Sequence, residues 1–97
     1  MPGVWLRFAN LTGTNLANAQ LMGANFTGAN LTGANLTAAL MHDANFYAAN
    51  FENAKLTGAA MIRTNIISAN LKDAKLYRTT WIDGSKVCAP ESVGACQ

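Results

Sequence analysis

Large apolar residues recur at every fifth position over most of the chain, and this regularity constrains the fold more than any other feature of the sequence. The step of five holds without a break from Leu6 to Trp81. The series is Leu6, Leu11, Leu16, Leu21, Phe26, Leu31, Leu36, Met41, Phe46, Phe51, Leu56, Met61, Ile66, Leu71, Leu76 and Trp81. Such self-similarity at a fixed period is typical of a repeat architecture.

A second series, of small residues, lies two positions before each large one. From Val4 to Thr79 it contains twelve Ala, three Thr and one Val, and Asn stands between the small and large residues in nine of sixteen units. A five-residue step would turn a side chain by about 140° on a helix and scatter the apolar residues around it. The pattern instead predicts a chain that turns a corner every five residues and points the large residue inward, as in a square-section solenoid.

Residues twenty apart should stack if four such units close one coil. The inward columns would then be Leu6-Phe26-Phe46-Ile66, Leu11-Leu31-Phe51-Leu71, Leu16-Leu36-Leu56-Leu76 and Leu21-Met41-Met61-Trp81. Like residues fall beside like in these columns, whereas periods of fifteen or twenty-five would scatter the pairings. The sequence therefore favours four units in each coil, with adjacent coils at the strand spacing of about 4.8 Å.

The unit Ala-Asn-Leu-Thr-Gly resembles the motif of the pentapeptide-repeat family over Val4 to Asp83. The resemblance implies an all-β fold, a right-handed quadrilateral β-helix of four coils with four pentapeptides each. The expected domain is 1–83, and the tail 84–97 is expected to cap the last coil. The expected coil boundaries are 4–23, 24–43, 44–63 and 64–83.

The outward columns of this arrangement carry polar ladders. One is an uninterrupted Asn column of Asn10, Asn30, Asn50 and Asn70, whose amides can bond both to one another and to backbone groups at the corners. In the others, Asp43, Arg63 and Asp83 alternate in charge, and Glu52 meets Lys72. Exposed pairs of this kind contribute about 0.2–1 kcal/mol each, so we interpret them as solvated ladders that help to fix the register.

Groups that could support catalysis are scarce. His42 stands beside Asp43 without a matching nucleophile, and one His with scattered acids does not supply a metal site. The net charge of +2 gives no footprint for nucleic acid. No apolar run is long enough for a membrane span. We therefore expect a chain that is not an enzyme and that has no catalytic residue, cofactor or metal.

Cys88 and Cys96 lie in the tail, eight residues apart, and could close a small loop by a disulfide. The alternative is two unpaired thiols in a reducing cytosol. The Trp81-Ile82-Asp83-Gly84 exit and the two-Cys tail resemble the ends of family members from cyanobacteria and the thylakoid lumen. The Cys pair and the resemblance together favour a thylakoid lumen or periplasm, with the cytoplasm as the alternative.

Trp5 and Phe8 fall at outward-facing sites of the first unit, where a lone monomer would place polar residues. They predict either an interface, including self-association through the N-terminal coil, or a minimal cap over the open end. The expected function is a non-enzymatic structural or interaction module with an unidentified protein partner.

Two other functions are less compatible with the sequence. The family includes DNA mimics that bind DNA gyrase, but these need a long acidic rod, whereas the net charge here is +2 and four coils would be only about 19 Å tall. Flat Thr arrays resemble ice-binding solenoids, but only two-residue Thr columns occur, such as Thr12 with Thr32 and Thr37 with Thr57. Both functions are therefore disfavoured.

Overall fold

The computed structural model describes residues 3–90 and 92–97. Met1, Pro2 and Glu91, which belong to the predicted ranges 1–83 and 84–97, lie outside the described residues. Pairing in the described residues is by single-residue bridges, and twelve parallel bridges each join residues twenty positions apart, from Trp5 with Asn25 to Ala60 with Thr80. The described ranges contain no helix and hence no helix that could cross a membrane.

A turn follows every bridged residue, which explains why the bridges do not extend into longer strands. From Ala9 to Thr79, the amide of each small residue donates to the carbonyl of the large residue three positions earlier, as from Ala34 to Leu31 at 2.9 Å. The residue before the small one has a positive φ at each step from Gly3 to Arg78, as the third residue of a type II turn does. Ten of these sixteen positions are occupied by residues other than Gly. Because of this turn, only one residue of each five-residue unit is free to pair.

The Asn residues that precede the large residues stabilise these turns. In all nine cases the side-chain Oδ1 accepts the backbone N–H two residues later, at 2.9–3.2 Å. Such Asx turns account for the preference for Asn at this position. Bonds between Asn side chains in the predicted Asn column are fewer than these Asx turns. Among the described residues one such bond is seen, from Asn70 Nδ2 to Asn50 Oδ1 at 3.3 Å.

The core consists of the two predicted series. The large residues from Leu21 to Met61, and Leu76, are fully buried, as are the small residues from Ala24 to Ala59. The Phe26 and Phe46 rings stack at 4.8 Å, and Phe51 meets Phe46 edge to face. The large residues toward the two ends of the stack are only partly buried, namely Leu6, Leu11, Leu16, Ile66, Leu71 and Trp81.

The C-terminal segment runs antiparallel against the last repeats. Val93 bridges Lys75, and Val87 bridges Thr80. The backbone N–H groups of Leu76, Arg78 and Trp81 donate to carbonyls of residues 92, 88 and 86, and the amides of residues 88 and 94 donate in return. The backbone groups of the last repeats on two sides of the solenoid are therefore paired with this segment.

Candidate functional site

One side of the solenoid concentrates the exposed aromatic and apolar side chains, and we call it the aromatic side. It consists of the three outward columns that begin at Trp5, Arg7 and Phe8 and continue at every twentieth residue: Trp5-Asn25-Asn45-Asn65, Arg7-Thr27-Tyr47-Ile67 and Phe8-Gly28-Ala48-Ser68. Four of the eight exposed large hydrophobic residues in the described chain are on it, namely Trp5, Phe8, Tyr47 and Ile67.

Arg7 contacts both aromatic residues at the N-terminal end of this side. The Arg7 guanidinium lies 5.4 Å from the ring centroids of both Trp5 and Phe8, a cation–π arrangement. Both rings are 69% exposed. The Phe8 ring lies against Gly28, so that it runs along the outside of the solenoid. The two residues predicted as an interface or cap are thus brought together on one surface, and their role stays a prediction.

Sequence reasoning missed Tyr47 and Ile67 as members of the same surface. Their side chains are 45% and 65% exposed. The signal was present, because Tyr47 and Ile67 follow Arg7 at intervals of forty and sixty residues in one outward column. The apolar residues of the outward columns indicate this surface, just as those of the inward columns indicate the core.

The aromatic side lies over buried aromatic residues of the core. Phe26 and Phe46, which point inward from this same side, are fully buried and stacked. No cavity is found in the part of the chain that the structure describes.

A second side carries the predicted alternating charges. Arg63 donates from Nε and Nη2 to the two carboxylate oxygens of Asp43, at 2.7 and 3.0 Å. Hydrogen bonding to Arg63 lowers the pKa of Asp43, and the same contact raises the pKa of Arg63. This is the only ion pair within residues 3–90 and 92–97, so Glu52 and Lys72 share a column without forming one.

Asp83, the third member of that charged column, bonds to the tail instead of Arg63. Its Oδ1 accepts the backbone N–H groups of Ser85 at 2.9 Å and Lys86 at 3.0 Å. These two bonds lower the pKa of the Asp83 carboxyl. The carboxylate therefore holds the turn at which the chain leaves the last repeat.

The two cysteines form a disulfide, with their Cα atoms 5.0 Å apart. Cys88 is buried against the core, and Cys96 is partly buried. The amide of Gln97 donates to Ser92 Oγ at 2.9 Å, and the amide of Ala89 donates to the carbonyl of Gln97 at 3.0 Å. The chain terminus is thus held beside the disulfide.

Side chains that could bind a metal are not gathered together. No group of three His, Cys, Asp or Glu that could hold an ion occurs within the described ranges. His42 is half-buried in an outward column, beside the exposed Asp43.

Comparison with known proteins identifies the repeat. The profile of the family described as pentapeptide repeats matches residues 6–43 and 44–80, with eight copies. No curated protein matches the chain significantly.

Similar solved structures include three pentapeptide repeat proteins. Rfr23 from the cyanobacterium Cyanothece is 30% identical, with a TM-score of 0.49 over 84% of this chain and 60% of that one. HetL from the cyanobacterium Nostoc, involved in heterocyst differentiation regulation, is 29% identical, with a TM-score of 0.37 over 84% of this chain and 42% of that one. A protein of the Arabidopsis thaliana thylakoid lumen is 26% identical, with a TM-score of 0.32 over 95% and 79%. The chain thus spans less than two thirds of the length of the first two proteins. Because the family profile matches its repeats from residue 6 to residue 80, the chain is a member of the pentapeptide-repeat family.

Proposed function

We propose that this chain is a non-enzymatic interaction module that binds a protein through its aromatic side. Proteins of the family fold as right-handed quadrilateral β-helices. The finer architecture proposed here is four coils of four pentapeptides, with residues 84–97 capping the last coil. The twenty-residue spacing of the parallel bridges and the antiparallel bridges of Val87 and Val93 support it.

The observation that carries the proposal is the composition of the aromatic side. Trp, Tyr and Arg are the residues that contribute most to binding energy at protein interfaces, and Phe is also enriched there. Trp5, Arg7, Phe8 and Tyr47 all occupy this one surface. Because they project from a solenoid with a stacked aromatic core, little backbone conformational entropy would be lost on binding.

The test is retention of protein by the immobilised chain from an extract of the source cells. We expect proteins that are retained by the wild type and lost with Tyr47→Ser or Ile67→Ser. Tyr77→Ser is the matched control, because Tyr77 is equally an exposed aromatic residue, at 41%, in an outward column of another side. Retention that is unchanged by both aromatic-side variants would show that the surface is not the binding site.

The compartment proposed is oxidising, such as a thylakoid lumen or periplasm. The disulfide between Cys88 and Cys96 supports it, since structural disulfides persist in oxidising compartments and are rare in the cytosol. Fractionation of the source cells with an antibody against the chain tests this directly. Recovery with the soluble cytosolic fraction, with both thiols free, would contradict the assignment.

The two alternative functions remain disfavoured. A DNA mimic needs closely spaced negative charge, whereas this chain has a net charge of +2. An ice-binding array needs free hydroxyls, whereas the Thr12, Thr32 and Thr37 hydroxyls donate to the neighbouring Asn10, Asn30 and Asn35 side chains at 2.6–2.8 Å.

A further inference from the structure

We infer that a second surface of this chain binds an acidic segment of a protein, through three cations on the side opposite the aromatic side. We call this surface the basic side. It consists of three outward columns, half a coil away from those of the aromatic side: Asn15-Asn35-Lys55-Lys75, Ala17-Thr37-Thr57-Tyr77 and Asn18-Ala38-Gly58-Arg78. The inference goes beyond the proposed function, because it assigns a different surface to a partner of stated chemistry.

The basic side carries positive charge without a counter-charge. Lys55, Lys75 and Arg78 are exposed, and none of the twelve positions on this side is acidic. Of the five acidic residues of the chain, Glu91 lies outside the described residues and the other four belong to outward columns of two other sides. The pair of Asp43 with Arg63 is the only ion pair among the described residues, so none of the three cations is in one there.

Two of these cations lie directly beside each other. A parallel bridge joins Lys55 to Lys75, which places them on adjacent coils at the strand spacing of about 4.8 Å. In the other outward columns, charged neighbours are of opposite sign, namely Asp43 with Arg63, Arg63 with Asp83, and Glu52 with Lys72.

Like charges that face each other on neighbouring strands destabilise a sheet. The column of Lys55 and Lys75 is therefore the one place where two charged neighbours in an outward column repel each other. A carboxylate bound between the two ammonium groups would replace this repulsion with attraction. We take the retention of two lysines at this place as the mark of an anion-binding surface.

The surroundings of the lysines leave room for such a ligand. The neighbouring outward residues Thr57 and Gly58 are small, and nothing lies within 4 Å of the position of a β-carbon on Gly58. The Arg78 guanidinium lies 6.0 Å from the centroid of the Tyr77 ring, a cation–π contact that helps to hold it on this side. Carboxylates can therefore approach all three cations from solvent.

The number of cations favours an acidic protein segment over other polyanions. A protein that binds DNA through about 6–10 phosphate contacts, or a membrane through a cluster of about 4–8 Lys and Arg, uses more cations than this side offers. Three cations match two or three carboxylates of a short run of Asp or Glu. Each such pair is exposed and contributes little, so binding should be weak and should decrease as salt is added.

The test is an NMR titration of the full chain, at low ionic strength, with a peptide that contains four consecutive Glu. The amide resonances of Lys55, Lys75 and Arg78 should shift, and a peptide with Gln in place of Glu should not shift them. Lys55→Gln and Arg78→Gln should each weaken binding about three- to fivefold, and Lys55→Glu at least about tenfold. Lys72→Glu is the matched control, because it makes the same change in net charge on another side, and it should alter binding less than about twofold.

Thermal melting without the peptide supplies an independent measurement. Lys55→Glu places opposite charges on adjacent coils, so it should raise the melting temperature by about 2–6 °C while it abolishes binding. Lys72→Glu places like charges side by side at Glu52 and should lower the melting temperature instead. A variant that is more stable but no longer binds would show that the lysine is kept for its ligand.

Several outcomes would overturn the inference. These are equal binding of the Glu and Gln peptides, a Lys72→Glu variant that loses as much affinity as Lys55→Glu, and a Lys55→Glu variant that melts at a lower temperature than the wild type. A duplex oligonucleotide or an anionic vesicle that binds the same three side chains more tightly than the Glu peptide would overturn the choice of partner. Tyr47→Ser should leave the titration unchanged, so a failure here is distinguishable from a failure of the proposed function, which the extract experiment tests separately.

Discussion

The ring of Phe8 lies so close to Gly28 that a β-carbon on the glycine would come within 2.5 Å of Cε1 and 2.6 Å of Cδ1. Gly33, one unit later, has the same φ of +67° and nothing within 4 Å of the corresponding position. The two glycines therefore have the same backbone conformation and differ in the aromatic ring above one of them.

Gly28→Ala should displace the Phe8 ring, whereas Gly33→Ala should not. Both variants place a β-carbon at positive φ, so both should lower the free energy of unfolding by about 1–2 kcal/mol. Gly28→Ala should cost more than Gly33→Ala and should shift the ring proton resonances of Phe8 in an NMR spectrum. Equal stabilities together with unchanged Phe8 resonances would contradict the contact.

Ala38→Gly should leave the protein as stable as the wild type or stabilise it by up to about 1 kcal/mol, because Ala38 has a φ of 60°. Ala39→Gly is the matched control at the next residue, which is fully buried and does not have a positive φ. It removes a buried methyl group and adds backbone freedom, so it should cost at least about 1 kcal/mol. Chemical denaturation measures both, and an equal loss in the two variants would contradict the turn geometry.

The inward residues could be predicted from the sequence because a single period fixes them. Leu36 and Phe51 are fully buried as predicted, and the column that contains Phe26 and Phe46 places their rings in a stack. The extent of burial at the ends was not predictable, because it depends on what covers the first and last repeats. Leu11 and Leu71 occupy the same type of position as Leu31 but are only partly buried.

The outward residues were harder to predict because each has several partners within reach. The column of alternating charge predicted the pair of Asp43 with Arg63, but Asp83 instead accepts two backbone amides from the tail. The Asn column was predicted to bond both along the stack and to the backbone at the corners, and its side chains mainly do the second, as Asn30 does with Thr32. A local partner two residues away is reached at less entropic cost than one in the next repeat.

Leu36→Ala should lower the free energy of unfolding by about 2–5 kcal/mol, because the residues packed above and below cannot collapse into the cavity. Leu11→Ala, in the same position of an earlier repeat, should cost less because Leu11 is already partly exposed. Ala34→Leu should destabilise comparably to Leu36→Ala, since Ala34 is fully buried and a larger side chain would overpack the corner. Denaturant melts of the three variants test the packing, and a neutral Ala34→Leu would contradict the inward placement of the small residue.

Reduction of the disulfide between Cys88 and Cys96 should release the tail and leave the central repeats folded, because repeat units contact only their neighbours. The loss of the cross-link should cost about 2–3 kcal/mol. Hydrogen exchange should accelerate at the amides of Cys88 and Gly94, which donate to the last repeats, and not at that of Phe46. Alkylation of the native protein without reductant should add no label, and the addition of two labels would show that the thiols are free.

Asp83 should make the attachment of the tail dependent on pH. The backbone amides of Ser85 and Lys86 hold the pKa of its carboxyl below the ordinary aspartate value, so the folded state binds this proton less readily than the unfolded state does. The stabilisation is therefore complete above the unfolded-state pKa of about 4 and is lost as the pH falls through the lower pKa of the folded protein. In NMR titrations the amide resonances of Ser85 and Lys86 should shift with a midpoint below that of an unstructured aspartate, and Asp83→Asn should abolish the shift. Asp43→Asn, which removes the carboxylate bound to Arg63 instead, should leave the midpoint unchanged, and a midpoint at or above the ordinary value would contradict the hydrogen bonds from the tail.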